Sequence, residues 1–214
     1  MTRTPNCLSE VRFSALLQYA PQGQSEAPRA SREAVVWIKR GAPAYVERIG
    51  VRCAECAGEG RFADLFGPDV VLVPIPRSEQ LRSGALWPAL RIAEELLARG
   101  LGIEVRPMLV RREATVKSAL HRSAGSRPGP LDHVRTIAAN SLALGIRRVV
   151  LVDDVVTRGA TLLGCASVLA QAYPPLEVRC FAAVRTMSDQ EIETMLSPVC
   201  GKITLSGEKL HRHP

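Results

Sequence analysis

The stretch VVLVDDVVTRGATLL, from Val149 to Leu163, constrains this chain more than any other. Its first four residues are apolar and three are valine, the pattern of a strand buried on both faces. Two adjacent carboxylates, Asp153 and Asp154, end that strand, and Thr157-Arg158-Gly159-Ala160-Thr161 leads into a helix. One aspartate could cap the helix. Two of them, with a glycine loop behind, read as a site.

The rest of the chain repeats the strand–helix alternation. Strands are expected at Arg12–Tyr19, Val70–Pro74, Ile103–Val110, Val149–Val152, Val178–Val184 and Ile203–Leu205. Helices are expected at Ser31–Arg40, Pro43–Ala57, Pro88–Arg99, Asp132–Leu144, Thr161–Ala172 and Met187–Leu196. Pro21–Pro28 reads as a turn-rich linker. In the 88–99 helix Leu90, Ala93, Leu96 and Leu97 share one face, and Gly100 closes it. Such alternation implies an α/β fold with a mostly parallel sheet and right-handed crossovers. Ligands bind outside the carboxyl ends of strands in these sheets. That rule singles out residues 74–78, 153–161 and the segment after Val184. The expected division is a cap or hood over residues 1–66 and a core over 67–214.

Composition narrows the class. Aromatic residues make up only 4% of the 214 residues, so Val, Leu, Ile and Ala must fill the core. No apolar run approaches the ~18 residues of a membrane span, and MTRTPNCLSEVRF lacks a signal peptide's apolar segment. The expectation is a cytoplasmic protein. Its six cysteines are then reduced thiols, with Cys165 and Cys180 in apolar, core-like surroundings. Cys53 and Cys56 have metal-ligand spacing, but a structural zinc site needs four ligands and only Cys7 offers a third. The net charge is +7, and six Lys or Arg residues against one acid lie between Arg106 and Arg127. An anionic partner follows, either nucleic acid or a small phosphate.

The residues after Val152 narrow the partner. Backbone amides from Arg158 to Thr161 would face an anion at a helix N-terminus, where the helix dipole adds favourable potential. Thr157 and Thr161 offer hydroxyl donors, and Gly159 lets the backbone come close. A side chain at Gly159 is expected to obstruct the anion while leaving the fold intact. Neither G-x-x-x-x-G-K-[ST] nor G-x-G-x-x-G occurs, which argues against a P-loop NTPase and a dinucleotide fold. The paired carboxylates beside this cradle can accept hydrogen bonds from vicinal sugar hydroxyls. A ribose 5-phosphate group satisfies both features.

Val149–Thr161 resembles the phosphoribosyl pyrophosphate (PRPP) motif of type I phosphoribosyltransferases. Within that superfamily the chain is most similar to ComF-like, competence-associated members, through Tyr19, Lys39, Val73-Pro74-Ile75-Pro76 and the basic segment 111–135. It departs from them in having no evident four-cysteine zinc finger, and in Arg158 where T-T-G-A-T is common. The resemblance implies a Rossmann-like type I phosphoribosyltransferase fold and the roles that follow. Asp153 and Asp154 take the ribose hydroxyls, Thr157, Arg158, Gly159, Ala160 and Thr161 the 5-phosphate. Pro76, Arg77 and Ser78 take the pyrophosphate, and Arg185 the acceptor. The 111–135 segment becomes a flexible catalytic lid carrying Lys117, with Arg122 and Arg127 as further candidates. Mg²⁺ would be held mainly by substrate oxygens and water, with Asp153 or Asp154 as its only protein contacts.

Plainer readings stand beside these. The acid pair could be a strand end with a helix cap, Arg77 a surface arginine after a proline turn, and the basic run a solvated loop. Trp87 and Phe66 read as packing residues, and His211 and His213 as a frayed end. Three functions therefore compete: a phosphoribosyltransferase releasing pyrophosphate to a nitrogen acceptor, a catalytically silent PRPP or nucleotide sensor, and an accessory in DNA uptake or defence. The basic run lacks interleaved aromatics for base stacking, which favours the lid over DNA contact.

Overall fold

The computed structural model describes residues 6–77, 84–113, 128–140, 145–188 and 191–214. In chain order the elements begin with β1 (Glu10–Tyr19), α1 (Glu26–Lys39), α2 (Pro43–Gly58), β2 (Val70–Pro74) and α3 (Pro88–Ala98). They continue with β3 (Glu104–Val105), β4 (Leu109–Arg111), α4 (Pro130–Thr136), β5 (Ile137–Ala139) and β6 (Arg148–Val156). Last come α5 (Ala160–Ala172), β7 (Glu177–Thr186), β8 (Leu196–Ser206) and β9 (Lys209–His213).

Seven strands form one sheet in the order β3-β2-β6-β7-β1-β8-β9. The first five are parallel, β8 pairs antiparallel with β1, and β9 pairs antiparallel with β8. The fold is therefore α/β with a mostly parallel sheet, as the alternating pattern predicts. Alternation along each strand splits the core in two. Leu72, Val150, Val152 and Phe181 face α1, α2 and α3, while Val71, Val149, Leu151 and Cys180 face α5. Each such fully buried aliphatic or aromatic side chain contributes about 1.5–3 kcal/mol. Phe62, Phe66 and Phe181 pack as a ring cluster on the first face, with centroids 5.6–6.2 Å apart. Cys165 and Cys180 are fully buried. Cys53 and Cys56 lie in the core on the α2 side, whereas Cys7 packs on the opposite face of the sheet. The sheet thus separates Cys7 from the other two.

Several expectations are corrected. The segment 1–66, expected as a hood, supplies β1 to the interior of the sheet, with every residue from Phe13 to Leu17 buried. A strand flanked by β7 and β8 satisfies its backbone on both sides, which no local pattern reveals. Residues 103–110 are not one strand. Arg106 N donates to Leu72 O at 2.9 Å, then Pro107, which has no N–H, ends the pairing. The chain leaves the sheet, and β4 pairs antiparallel with β5 in a separate two-stranded sheet.

The 132–144 helix ends at Thr136, because Ile137–Ala139 pairs with Leu109–Arg111 and buries Ile137; residues 141–144 lie outside the described ones. No helix forms in the described part of 187–196. Met187 N donates to Tyr19 O at 2.7 Å, and Gln18 N to Met195 O at 2.9 Å, so the chain folds back along β1 instead. The expected strand 203–205 is part of the eleven-residue β8. His211 and His213 belong to β9, and Thr204 Oγ1 lies 3.2 Å from His213 Nε2. The linker up to Pro28 already contains the start of α1, since proline is tolerated in a first helical turn.

Candidate functional site

The carboxyl ends of β2 and β6 lie side by side, and the connections after them run in opposite directions across the sheet. A crevice opens at such a switch point. Here it is an open cleft of about 840 Å³. Tyr19 from β1, Lys39 from α1, Ile75–Arg77 after β2 and residues 153–162 line it.

Asp153 and Asp154 lie within β6 rather than after it, since β6 runs on to Val156. Each carboxylate uses one oxygen locally. Asp153 Oδ1 accepts from Asp154 N at 2.9 Å, and Asp154 Oδ1 accepts from Val155 N at 2.8 Å. The two carboxyl groups also interact with each other, and both residues line the cleft. Both residues are half-buried by surface exposure. Loss of hydration and the neighbouring Asp154 charge push the Asp153 carboxyl well above the usual carboxylate range, opposed weakly by Lys39.

Gly159 caps α5 at φ +92°, in the left-handed region. The first helical bond closes from Leu163 N to Gly159 O at 2.9 Å. First-turn amides therefore have no helical partner and face outward from the helix N-terminus. A Cβ on Gly159 would fall 2.5 Å from Cδ1 of the fully buried Ile203. The missing side chain thus clears space for the core rather than for an anion, which corrects the expected consequence of substitution. Thr157 is exposed, and Arg158, Ala160 and Thr161 are half-buried along the cleft.

Across the cleft, Ile75 N donates to Val152 O at 2.9 Å and carries the β2–β6 register one residue further. Trp87 Nε1 donates to Ile75 O at 2.7 Å, so this buried indole fixes the turn as well as packing. Pro76 is buried and Arg77 half-buried. Arg111 Nε donates to Arg77 O at 2.5 Å, and its Nη1 donates to Thr136 Oγ1 at 3.0 Å. Arg111 is only 5% exposed, and burial lowers its pKa. Among the described residues no carboxylate lies within ion-pair distance of it.

The cleft gathers Asp153, Asp154, Pro76, Arg77 and the whole 157–161 loop. Ser78, Lys117, Arg122 and Arg127 lie outside the described residues. Arg185 does not line the cleft. It is a buried residue of β7, and its Nη2 donates to Ser197 Oγ of β8 at 3.0 Å and to Gln18 Oε1 of β1 at 3.3 Å. Burial lowers its pKa, and Nη1 has no partner among the described residues. Arg111 and His133 are the cleft residues whose individual roles the sequence does not reveal. Arg111 reads there only as one end of a basic segment, and His133 as an isolated histidine without ligand spacing.

Fold and cleft together define an α/β protein whose carboxyl-edge crevice sets two strand aspartates beside the free amides of a helix. No protein-family model and no curated protein matches the chain. Among solved structures it is similar to a hypoxanthine phosphoribosyltransferase from Staphylococcus aureus, at 15% identity over 68% of this chain and 74% of that one, with a TM-score of 0.38. A likeness that loose carries no weight beside the residues themselves.

Proposed function

We propose that this cleft binds PRPP and that the protein is a phosphoribosyltransferase, joining the ribose 5-phosphate group to a nitrogen acceptor and releasing pyrophosphate. The observation that carries the reading is the meeting, in one crevice, of two adjacent carboxylates and the N-terminus of α5, whose first-turn amides have no helical partner. A sugar diol suits the first and a phosphate the second, and their adjacency suits one ligand bearing both.

In the reaction the C1–O bond to pyrophosphate breaks, a C1–N bond forms, and the acceptor nitrogen loses its proton. Asp153 and Asp154 would accept from the ribose hydroxyls and favour the positive charge that develops on the ring. Thr157 to Thr161 would hold the 5-phosphate. Pro76, Arg77 and Ser78 would face pyrophosphate, with Lys117 supplied by the basic segment as it closes. Among the described residues no group of three or more His, Cys, Asp and Glu side chains could hold a metal. Two carboxylates fit instead a hydrated Mg²⁺ held chiefly by substrate oxygens, which would neutralise the leaving pyrophosphate.

The test has two parts. Calorimetry with PRPP and Mg²⁺ measures binding, and a panel of nucleobases and amines is screened for PRPP-dependent pyrophosphate release. Binding with release supports the enzyme. Binding without release for any acceptor supports a PRPP sensor, and no binding refutes both.

A further inference from the structure

His133 stands where α4 meets the start of α5, and it is only 5% exposed. Its Nε2 lies 3.3 Å from Thr161 Oγ1, while its Nδ1 is buried with no partner among the described residues. The contact depends on a close approach of the two helices. A Cβ on Gly164 would fall 2.6 Å from His133 Cβ and 2.8 Å from Pro130 O. Glycine at that place in α5 lets the imidazole reach the helix's first turn. Asp132, the preceding residue, turns its carboxylate to the Gly129 amide at 2.8 Å.

The ring has two neutral tautomers, and the geometry discriminates between them. With the proton on Nδ1, a buried donor would go unsatisfied, and Nε2 would take the Thr161 hydroxyl proton. With the proton on Nε2, that N–H donates to Thr161 Oγ1, and only an acceptor lone pair is left unpaired at Nδ1. The second arrangement costs less, because an orphaned buried N–H is rarer and more expensive than an under-used acceptor. It also leaves the threonine proton free. A charged ring is disfavoured too: burial and the Arg111 guanidinium push the His133 pKa down to about 4, against a smaller opposing pull from Asp132.

We infer that His133 is a positioning residue that donates from Nε2 to Thr161 and so commits the Thr161 hydroxyl to donate to a phosphate at the α5 N-terminus. This rests on the phosphate-cradle reading above. An anion at the cradle needs donors, and a hydroxyl that is free to rotate can present either its proton or its lone pairs. Saturating one lone pair from behind favours the donor orientation before ligand arrives. Because the ring stays neutral, the commitment holds throughout the neutral pH range.

Two measurements test it. Long-range ¹H–¹⁵N spectra of the wild-type protein at pH 7, without ligand, should show a protonated, pyrrole-like Nε2 and a bare Nδ1 for His133. The reversed tautomer or a charged ring overturns the inference, whatever the protein binds. Calorimetry with ribose 5-phosphate then compares variants. His133→Leu should bind about tenfold more weakly, the scale of one lost hydrogen bond. His133→Gln, which keeps an N–H donor, should recover most of that loss. On a Thr161→Val background His133→Leu should cost nothing further. Equal affinity in wild type and His133→Leu, or an undiminished loss in the glutamine variant, overturns the role of His133 and leaves the cradle standing. A wild-type protein that does not bind ribose 5-phosphate overturns both.

Discussion

Asp153, within β6, and Gly159, at the cap of α5, answer to different physical demands. Asp153 carries a carboxyl whose pKa is raised by burial and by Asp154. The folded state therefore holds the Asp153 proton more tightly than the unfolded state does. That contribution to stability is complete below the unfolded value near ~4 and is lost as pH rises through the folded one. Asp153→Asn removes the ionised burden, so its melting temperature should exceed the wild type's at pH 8, with the gap closing toward pH ~4. For a chain of this length each 1 kcal/mol moves the midpoint by about 2–4 °C. Thermal unfolding across pH checks the sign, and a variant that is less stable at every pH refutes it. PRPP affinity should fall in the same variant. Asp154→Asn should likewise lose about 1.5–3 kcal/mol of binding, roughly tenfold to more than a hundredfold, by calorimetry. At Gly159 the structure reverses the expectation that substitution spares the fold. The φ of +92° and the 2.5 Å approach to Ile203 make Gly159→Ala a stability mutation. Strain and overpacking together should cost about 2–5 kcal/mol, read as a lower urea midpoint.

At the scale of elements, the cleft depends on side chains that tie one strand end to another. Arg212 in β9 donates to Val156 O at 3.1 Å and to Thr186 O at 2.5 Å, the last residues of β6 and β7. Its strand sits at the far edge of the sheet, yet its guanidinium holds the carbonyl just before the 157–161 loop. Arg212→Ala should raise hydrogen exchange at Thr157 and Arg158 while β2 amides keep their protection. Equal exchange in both proteins would refute the tie. Arg111, itself in β4, performs the matching task across the cleft by joining the segment after β2 to α4. The elements themselves were unevenly legible. β2 coincides with its expected bounds because a run of five apolar residues between turn signals is a local pattern. The helix expected over 132–144 stops at Thr136 because pairing with β4 overrides the local helix preference of Ala138 and Ala139.

For the whole molecule, the charge of +7 and a crevice walled by Lys39, Arg77, Arg111 and Arg158 favour the approach of a polyanion. Raising salt from about 0.05 to about 0.5 M should slow PRPP association by several-fold and change dissociation far less. Stopped-flow binding distinguishes these, and a salt-independent association rate would remove steering from the account. Among the described residues no helix is long and apolar enough to cross a membrane. The sheet also explains how so few aromatics suffice. Two faces covered by helices and the small β4–β5 sheet let Val, Leu, Ile and Ala fill both cores, with three phenylalanines clustered where the 60–66 segment covers β7.

The sequence by itself determined the strand–loop–helix unit around Asp153 and Gly159, the buried runs on either side of it and most helix spans. Those depend on residues close together in the chain, where hydrophobic period and glycine placement act directly. Only the tertiary structure decided that β1 enters the interior of the sheet and that β8 returns antiparallel beside it. It also decided that Gly159 makes room for Ile203, that Arg185 turns away from the cleft and that His133 reaches Thr161. Each of these joins residues distant in sequence, and their proximity follows from which backbone edges pair and which side chains share a face, information that no short window of the chain contains.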